Sequence, residues 1–301
     1  MPPFSRRERI EDYGARVEVE GDGSGKGEGR GRVVIGGVEW REERVRARDG
    51  VEVALVVGEV GDRTGEENGQ ERGRVRRRGR KGLLFIFKVF TSHRNGGSIP
   101  PRLPAISQVL RLLHERQRGE VKHTLVALSY RGFWKSEGRP SEKGIKLDAA
   151  AAIEWAAEHH PGASLTLWGQ SIGAGVATSA AAESQHRPSI DKLILETPFT
   201  SVRDMLATLY PQKWLPYRYL YPFLWNHWDS CRALQEMTVK GKSTQVLIVS
   251  AENDELVPPS HGQTLESVCK ATGLTASRVV IKGALHHEVL FKPEGRKAIM
   301  A

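Results

Sequence analysis

The sequence predicts an α/β fold: a mostly parallel central sheet with helices on both faces and a small lid insertion. Three observations carry that prediction. From Gly82 onward, short apolar runs alternate with longer stretches of helical periodicity, as parallel strands joined by crossover helices do. The pentapeptide Gly169-Gln170-Ser171-Ile172-Gly173 lies between one apolar run and a helix of small residues. An acidic loop and then a histidine loop follow the later apolar runs.

Along the chain, residues 1–37 mix Gly, Arg and Glu without a hydrophobic period and read as a disordered tail. Gly21–Gly27 has the glycines of a phosphate loop, but lacks both a Lys followed by Ser or Thr and a preceding strand. The folded domain is expected over residues 38–301. Alternating residues on either side of Asp49-Gly50, from Val45 and through Val57, predict a β-hairpin. Residues 61–81 turn polar again, a disordered basic insert. Strands are then expected at Leu83–Val89, Thr124–Tyr130, Ser164–Trp168, Lys192–Leu195, Gln245–Ser250 and Arg278–Ile281, with helices at Leu103–Glu115, Ile145–His159 and Ala174–Ala182. The stretch at about 203–230 breaks this rhythm with Tyr210, Trp214, Tyr217, Tyr219, Tyr221, Phe223, Trp225 and Trp228, and reads as a lid. Its aromatics suit an acyl pocket, a membrane surface or ordinary lid packing.

The chain has 301 residues and a formal net charge of +9. Much of the concentrated basic charge lies in Arg72–Lys81, inside the expected insert, so a solvated segment is favoured over a nucleic-acid interface. Met1–Glu11 is charged where a signal peptide needs an apolar core, and Leu83–Phe87 is far short of the roughly 20 residues of a spanning helix. The expectation is an intracellular protein, cytoplasmic or peripheral to a membrane. Two cysteines, Cys231 and Cys269, are too few for a disulfide framework and are expected to be buried or partly buried.

Ser171 is the candidate nucleophile. A sharp strand-to-helix turn forces it into a strained backbone conformation, and small flanking residues let strand and helix approach. Its hydroxyl then stands at the C-terminal edge of the sheet, where open α/β sheets place their sites. A serine needs a base, and the base an orienting carboxylate; in this architecture they follow in the order acid, then histidine. Asp254 lies just past an apolar strand, in a turn-like Asn253-Asp254 setting ahead of Leu256-Val257-Pro258. Glu252 and Glu255 are its rivals. His286, with His287 as rival, lies in the loop after Val279-Val280-Ile281. The oxyanion donors are expected to be the backbone N–H groups of Ile172 and, from Ser92–Gly97, Asn95. No cofactor or metal is expected.

Together these residues resemble the α/β-hydrolase superfamily, and more narrowly its bud-emergence-protein branch of abhydrolase-domain serine hydrolases. The resemblance runs from about Trp40 to the C-terminus. It rests on Asp49-Gly50-Val51, His93–Gly97, Tyr130–Gly138, the Ser171 turn, Glu196-Thr197-Pro198-Phe199, Asp254–Pro258 and His286. It implies cleavage of an acyl ester or thioester through an acyl-enzyme, by a palmitoyl-protein thioesterase or lipid esterase, with peripheral membrane contact. A serine aminopeptidase and a catalytically impaired binding protein are the alternatives. Arg94 and Trp134 stand where the branch usually has Gly, and Gly/Arg-rich sequence stands in place of its N-terminal membrane anchor.

Overall fold

The computed structural model describes residues 8–17, 32–61, 80–88, 98–117, 120–183, 190–209, 225–239 and 243–301. Among the described residues ten strands form one sheet: β1 (Ala15–Val17), β2 (Arg32–Ile35), β3 (Val38–Arg46), β4 (Glu52–Val60), β5 (Arg80–Lys88), β6 (Val121–Leu128), β7 (Ser164–Gln170), β8 (Ile190–Glu196), β9 (Gln245–Ala251) and β10 (Ala276–Ile281). Their order is β1-β2-β3-β4-β6-β5-β7-β8-β9-β10. The first four strands are antiparallel to their neighbours, β4 against β6 included. From β6 to β10 every pairing is parallel. The described helices are α1 (Leu103–Arg116), α2 (Glu142–His159), α3 (Ile172–Glu183), α4 (Val202–Leu209), α5 (Ser230–Val239), α6 (Pro259–Ala271) and α7 (Pro293–Ile299).

Alternation along the strands builds two cores. Leu55, Val57, Phe85, Leu165, Leu167, Val246 and Ile248 face α2, α3, α5 and α6. Val56, Leu84, Ile86, Trp168, Ile194 and Leu247 face α1 and α7. Successive side chains on a pleated strand point to opposite faces, so strands apolar throughout supply both layers. The Asp49-Gly50 hairpin forms between β3 and β4, pairing Arg46 with Glu52, with Gly50 at φ +85°. Cys269 is buried and Cys231 half-buried, and burial pushes both thiols up to about 11.

The expected tail through residue 37 is corrected at both of its described ends. Ile10, Val33 and Ile35 are buried in the second core. The segment 32–35 is only four residues long, too short to announce a period among its Gly and Arg neighbours. Pairing with β3 gives it one, with Val33 and Ile35 inward. Trp134 explains the other end. Its backbone has φ +43°, a conformation glycine adopts freely and other residues rarely do. The indole is 1% exposed, packs in the second core, and donates from Nε1 to the Glu8 carbonyl at 2.8 Å. A side chain at this position thus lies in the core and holds the N-terminal segment.

The expected insert ends two residues early, because Arg80 and Lys81 already belong to β5. Residues 62–79 lie outside the described residues, as do 18–31. Of the expected lid, α4 and the 225–229 stem are described, and 210–224 lie outside. The two stems are joined: Val202 N–H donates to the His227 carbonyl and Ser230 N–H to Thr200. Trp228 is 3% exposed and packs against Gly175 of α3, whereas Trp225 is 93% exposed.

Candidate active site

Ser171 lies between β7 and α3 at φ +53°, the left-handed region that a non-glycine residue enters only under constraint. The constraint is visible on both sides. Its N–H donates to the Glu196 carbonyl of β8 at 2.9 Å, and its own carbonyl accepts from Ala174 N–H at 2.9 Å. A Cβ at Gly169 would lie 2.1 Å from the Gly173 carbonyl oxygen, so the strand and helix backbones meet there only because residue 169 is glycine. Ile172 opens α3, whose first amides have no acceptor within the helix. Asn95 and Arg94 lie outside the described residues.

At the next two strand ends, the loops after β9 and β10 lock together. His286 Nδ1 lies 2.9 and 3.0 Å from the two carboxylate oxygens of Asp254. Asp254 is itself aimed by the turn it starts, its Oδ1 accepting from the N–H groups of Leu256 at 3.0 Å and Val257 at 2.7 Å. Both side chains are nearly inaccessible, at 1% for His286 and 3% for Asp254. A carboxylate on Nδ1 places the proton there and leaves the Nε2 lone pair for a proton acceptor's role.

The rivals have other positions. Glu255 Oε2 accepts from the His286 backbone N–H at 2.9 Å, and Glu252 Oε2 from that of Gly283 at 2.8 Å. Asn253 N–H donates to the Ala284 carbonyl. All three acids of the 252–255 loop therefore serve the histidine loop, and only Asp254 reaches the imidazole. His287 packs edge-on against His286, ring centroids 4.7 Å apart, and its buried Nδ1 has no hydrogen-bond partner among the described residues. The role of one group was not legible in the sequence. Glu196, fully buried beside the Ser171 turn, accepts from Trp168 Nε1 at 2.8 Å and Gln170 Nε2 at 2.9 Å. In the sequence it stands only within Glu196-Thr197-Pro198-Phe199, a motif of the resemblance with no role attached to the acid.

A model of the alpha/beta hydrolase fold matches residues 107–230, the span that contains the Ser171 turn. The chain has the α/β-hydrolase fold. The chain is 35% identical over 180 residues to protein bem46 of Schizosaccharomyces pombe, covering 59% of the chain and 54% of that protein. It is 37% identical over 147 residues to the lysophosphatidylserine lipase ABHD12 of Danio rerio, covering 47% and 38%. The chain thus spans about half the length of the curated relatives it matches. The Pyrococcus furiosus esterase Pf2001 superimposes at a TM-score of 0.59 with 16% identity, covering 87% of this chain and 88% of that one. A Pseudomonas putida esterase does so at 0.56 with 20% identity, covering 89% and 82%. At these identities the likeness shows the fold.

Burial around the sheet also sets a pH response. It holds His123, His160, His261 and His287 below the ordinary 6.5, outweighing the Asp204 and Asp254 charges at His261 and the Glu59 charge at His160. Between those lowered values and 6.5, the unfolded chain binds protons that the folded chain refuses. Stability is therefore full above about pH 6.5 and falls as the pH drops through this window. The melting temperature is expected to be lower at pH 5.5 than at pH 7.5. Equal or higher stability at pH 5.5 would contradict the burial of these imidazoles.

Proposed function

We propose that the chain is a serine hydrolase of lipid carboxylic esters, working through an acyl-enzyme. His286 Nε2 takes the proton of Ser171 as Oγ attacks the acyl carbon, and the ester C–O bond breaks with that proton passing to the departing alcohol. Water then repeats the cycle, regenerating Ser171 and releasing the acid. Asp254 holds the imidazole in the required tautomer and stabilises the imidazolium. The N–H of Ile172, with that of Asn95 assigned from the sequence, meets the developing oxyanion, each such donor contributing about 2.7–4 kcal/mol.

The observation that carries this reading is the hydrogen bond from Gln170 Nε2 to the His286 carbonyl at 3.3 Å. It ties the Asp254–His286 pair to the residue immediately before the strained serine. The lipase and esterases among the similar proteins support an oxygen ester over a thioester, including the palmitoyl thioester considered from the sequence. Leu285 and Leu256, 42% and 39% exposed beside the histidine and the acid, suit an acyl chain. No described helix is long and apolar enough to cross a membrane, and we assign lipid access to the protein surface. Hydrolysis of p-nitrophenyl butyrate tests the reading. Turnover by the wild type is expected to fall by about 10³-fold or more in Ser171→Ala; retained turnover overturns it.

A further inference from the structure

Glu196 is 0% exposed and ends β8 directly beside Gln170 of β7. A buried carboxylate is retained only with partners that satisfy it. Its partners include the Trp168 indole N–H on one oxygen and the Gln170 carboxamide on the other. The carboxamide orientation is decided by chemistry, because the Glu196 carboxylate and the His286 carbonyl are both acceptors, so the nitrogen must face both. Gln170 therefore spends its two amide protons on a side chain of β8 and on the backbone of His286. The Glu196 carbonyl, meanwhile, holds the Ser171 N–H. One residue is thus bonded to the nucleophile's backbone directly and to the histidine's backbone through a single intermediary.

We propose that Glu196 is a positioning residue that fixes the His286 loop relative to Ser171 by orienting the Gln170 carboxamide, an inference that rests on the hydrolase reading for its catalytic consequence. Trp168 is the internal contrast. It binds the carboxylate oxygen that Gln170 does not use, so its loss weakens packing while leaving the Gln170 bond in place. Glutamine at 196 is expected to fail as a substitute. It offers one acceptor where two N–H donors converge, and its own amide opposes the other.

The test compares Gln170→Met, Glu196→Gln, their double variant and Trp168→Phe, measuring p-nitrophenyl butyrate kinetics, melting temperature and amide hydrogen exchange of residues 283–288. Gln170→Met and Glu196→Gln are expected to lower kcat about tenfold, with KM within about twofold. Both are expected to speed exchange in 283–288, and the double variant to be no worse than the poorer single one. Trp168→Phe is expected to lower the melting temperature while keeping kcat within about twofold. Additive losses in the double variant, unchanged exchange in 283–288, or a kcat loss in Trp168→Phe that matches the others would overturn the proposal. Should Glu196→Gln fail to fold, kinetics and exchange in Gln170→Met decide. A wild-type protein that hydrolyses nothing removes the hydrolase reading, and the exchange data alone then decide whether Glu196 and Gln170 hold the loop.

Discussion

His286→Ala is expected to lower kcat for p-nitrophenyl butyrate by about 10⁴-fold, while His287→Ala keeps most of it. The difference between adjacent imidazoles comes from what each one faces. Asp254 places both oxygens on His286 Nδ1 and has its own orientation set by the Leu256 and Val257 amides. His287 has no such carboxylate; burial, His286 and Arg102 together lower its basicity. Its replacement removes an edge-on ring contact, which costs packing and some order in the neighbouring ring. Asp254→Asn belongs to the same experiment, since a carboxamide on Nδ1 favours the wrong tautomer. Equal losses in His286→Ala and His287→Ala, with both proteins folded, would contradict the assignment.

Arg131→Ala is expected to destabilise the fold by about 3–5 kcal/mol, the cost of leaving a buried partner charged and alone. The Arg131 side chain is 7% exposed, and that of Asp148 on α2 is fully buried. The guanidinium donates to Asp148 at 2.8–3.1 Å and to Asp49 of the β3–β4 turn at 2.6 and 3.0 Å. It thereby joins the hairpin to α2. Burial already raises the Asp148 carboxyl against the pull of Arg131, so without the arginine this group takes up a proton more readily. The loss is accordingly expected to be larger at pH 8 than at pH 5. Arg131→Lys is not expected to restore stability, because one ammonium cannot serve two carboxylates in the planar fork geometry. Urea denaturation at both pH values checks this. A midpoint in Arg131→Ala equal to the wild type at pH 8 would show that the network contributes nothing.

What was legible in the sequence follows from the range over which each signal acts. Asp49-Gly50 declares its hairpin because turn and strands are adjacent in the chain. The Ser171 turn declares itself because strand, serine and helix fall within a few residues. Strand order led to the expectation that Asp254 and His286 pair, and their side chains meet although 32 positions separate them. Arg131, Asp49 and Asp148 were not read as a network, since 82 and 17 residues separate the arginine from its partners. Gly144 is a trace of that network: a Cβ there would lie 2.5 Å from the Arg131 guanidinium, yet the sequence presents it as an ordinary glycine near a helix start. The buried N-terminal residues were missed for a related reason. Ile10 and Val33 acquire their faces only from β3 and Trp134, so nothing local marks them as core. Glu252 and Glu255 were visible as acids but not as backbone acceptors, because that role needs the histidine loop folded against them.

In the proposed mechanism Ser171 is a nucleophile and not a capping residue in a glycine-rich turn. Covalent labelling by a fluorophosphonate, located by peptide mass spectrometry, tests it without knowledge of the natural ester. One phosphonate is expected on the peptide containing Gly169-Gln170-Ser171-Ile172-Gly173, absent in Ser171→Ala and strongly slowed in His286→Ala. A wild-type protein left unlabelled, or a Ser171→Ala variant labelled as fast as the wild type, would contradict it.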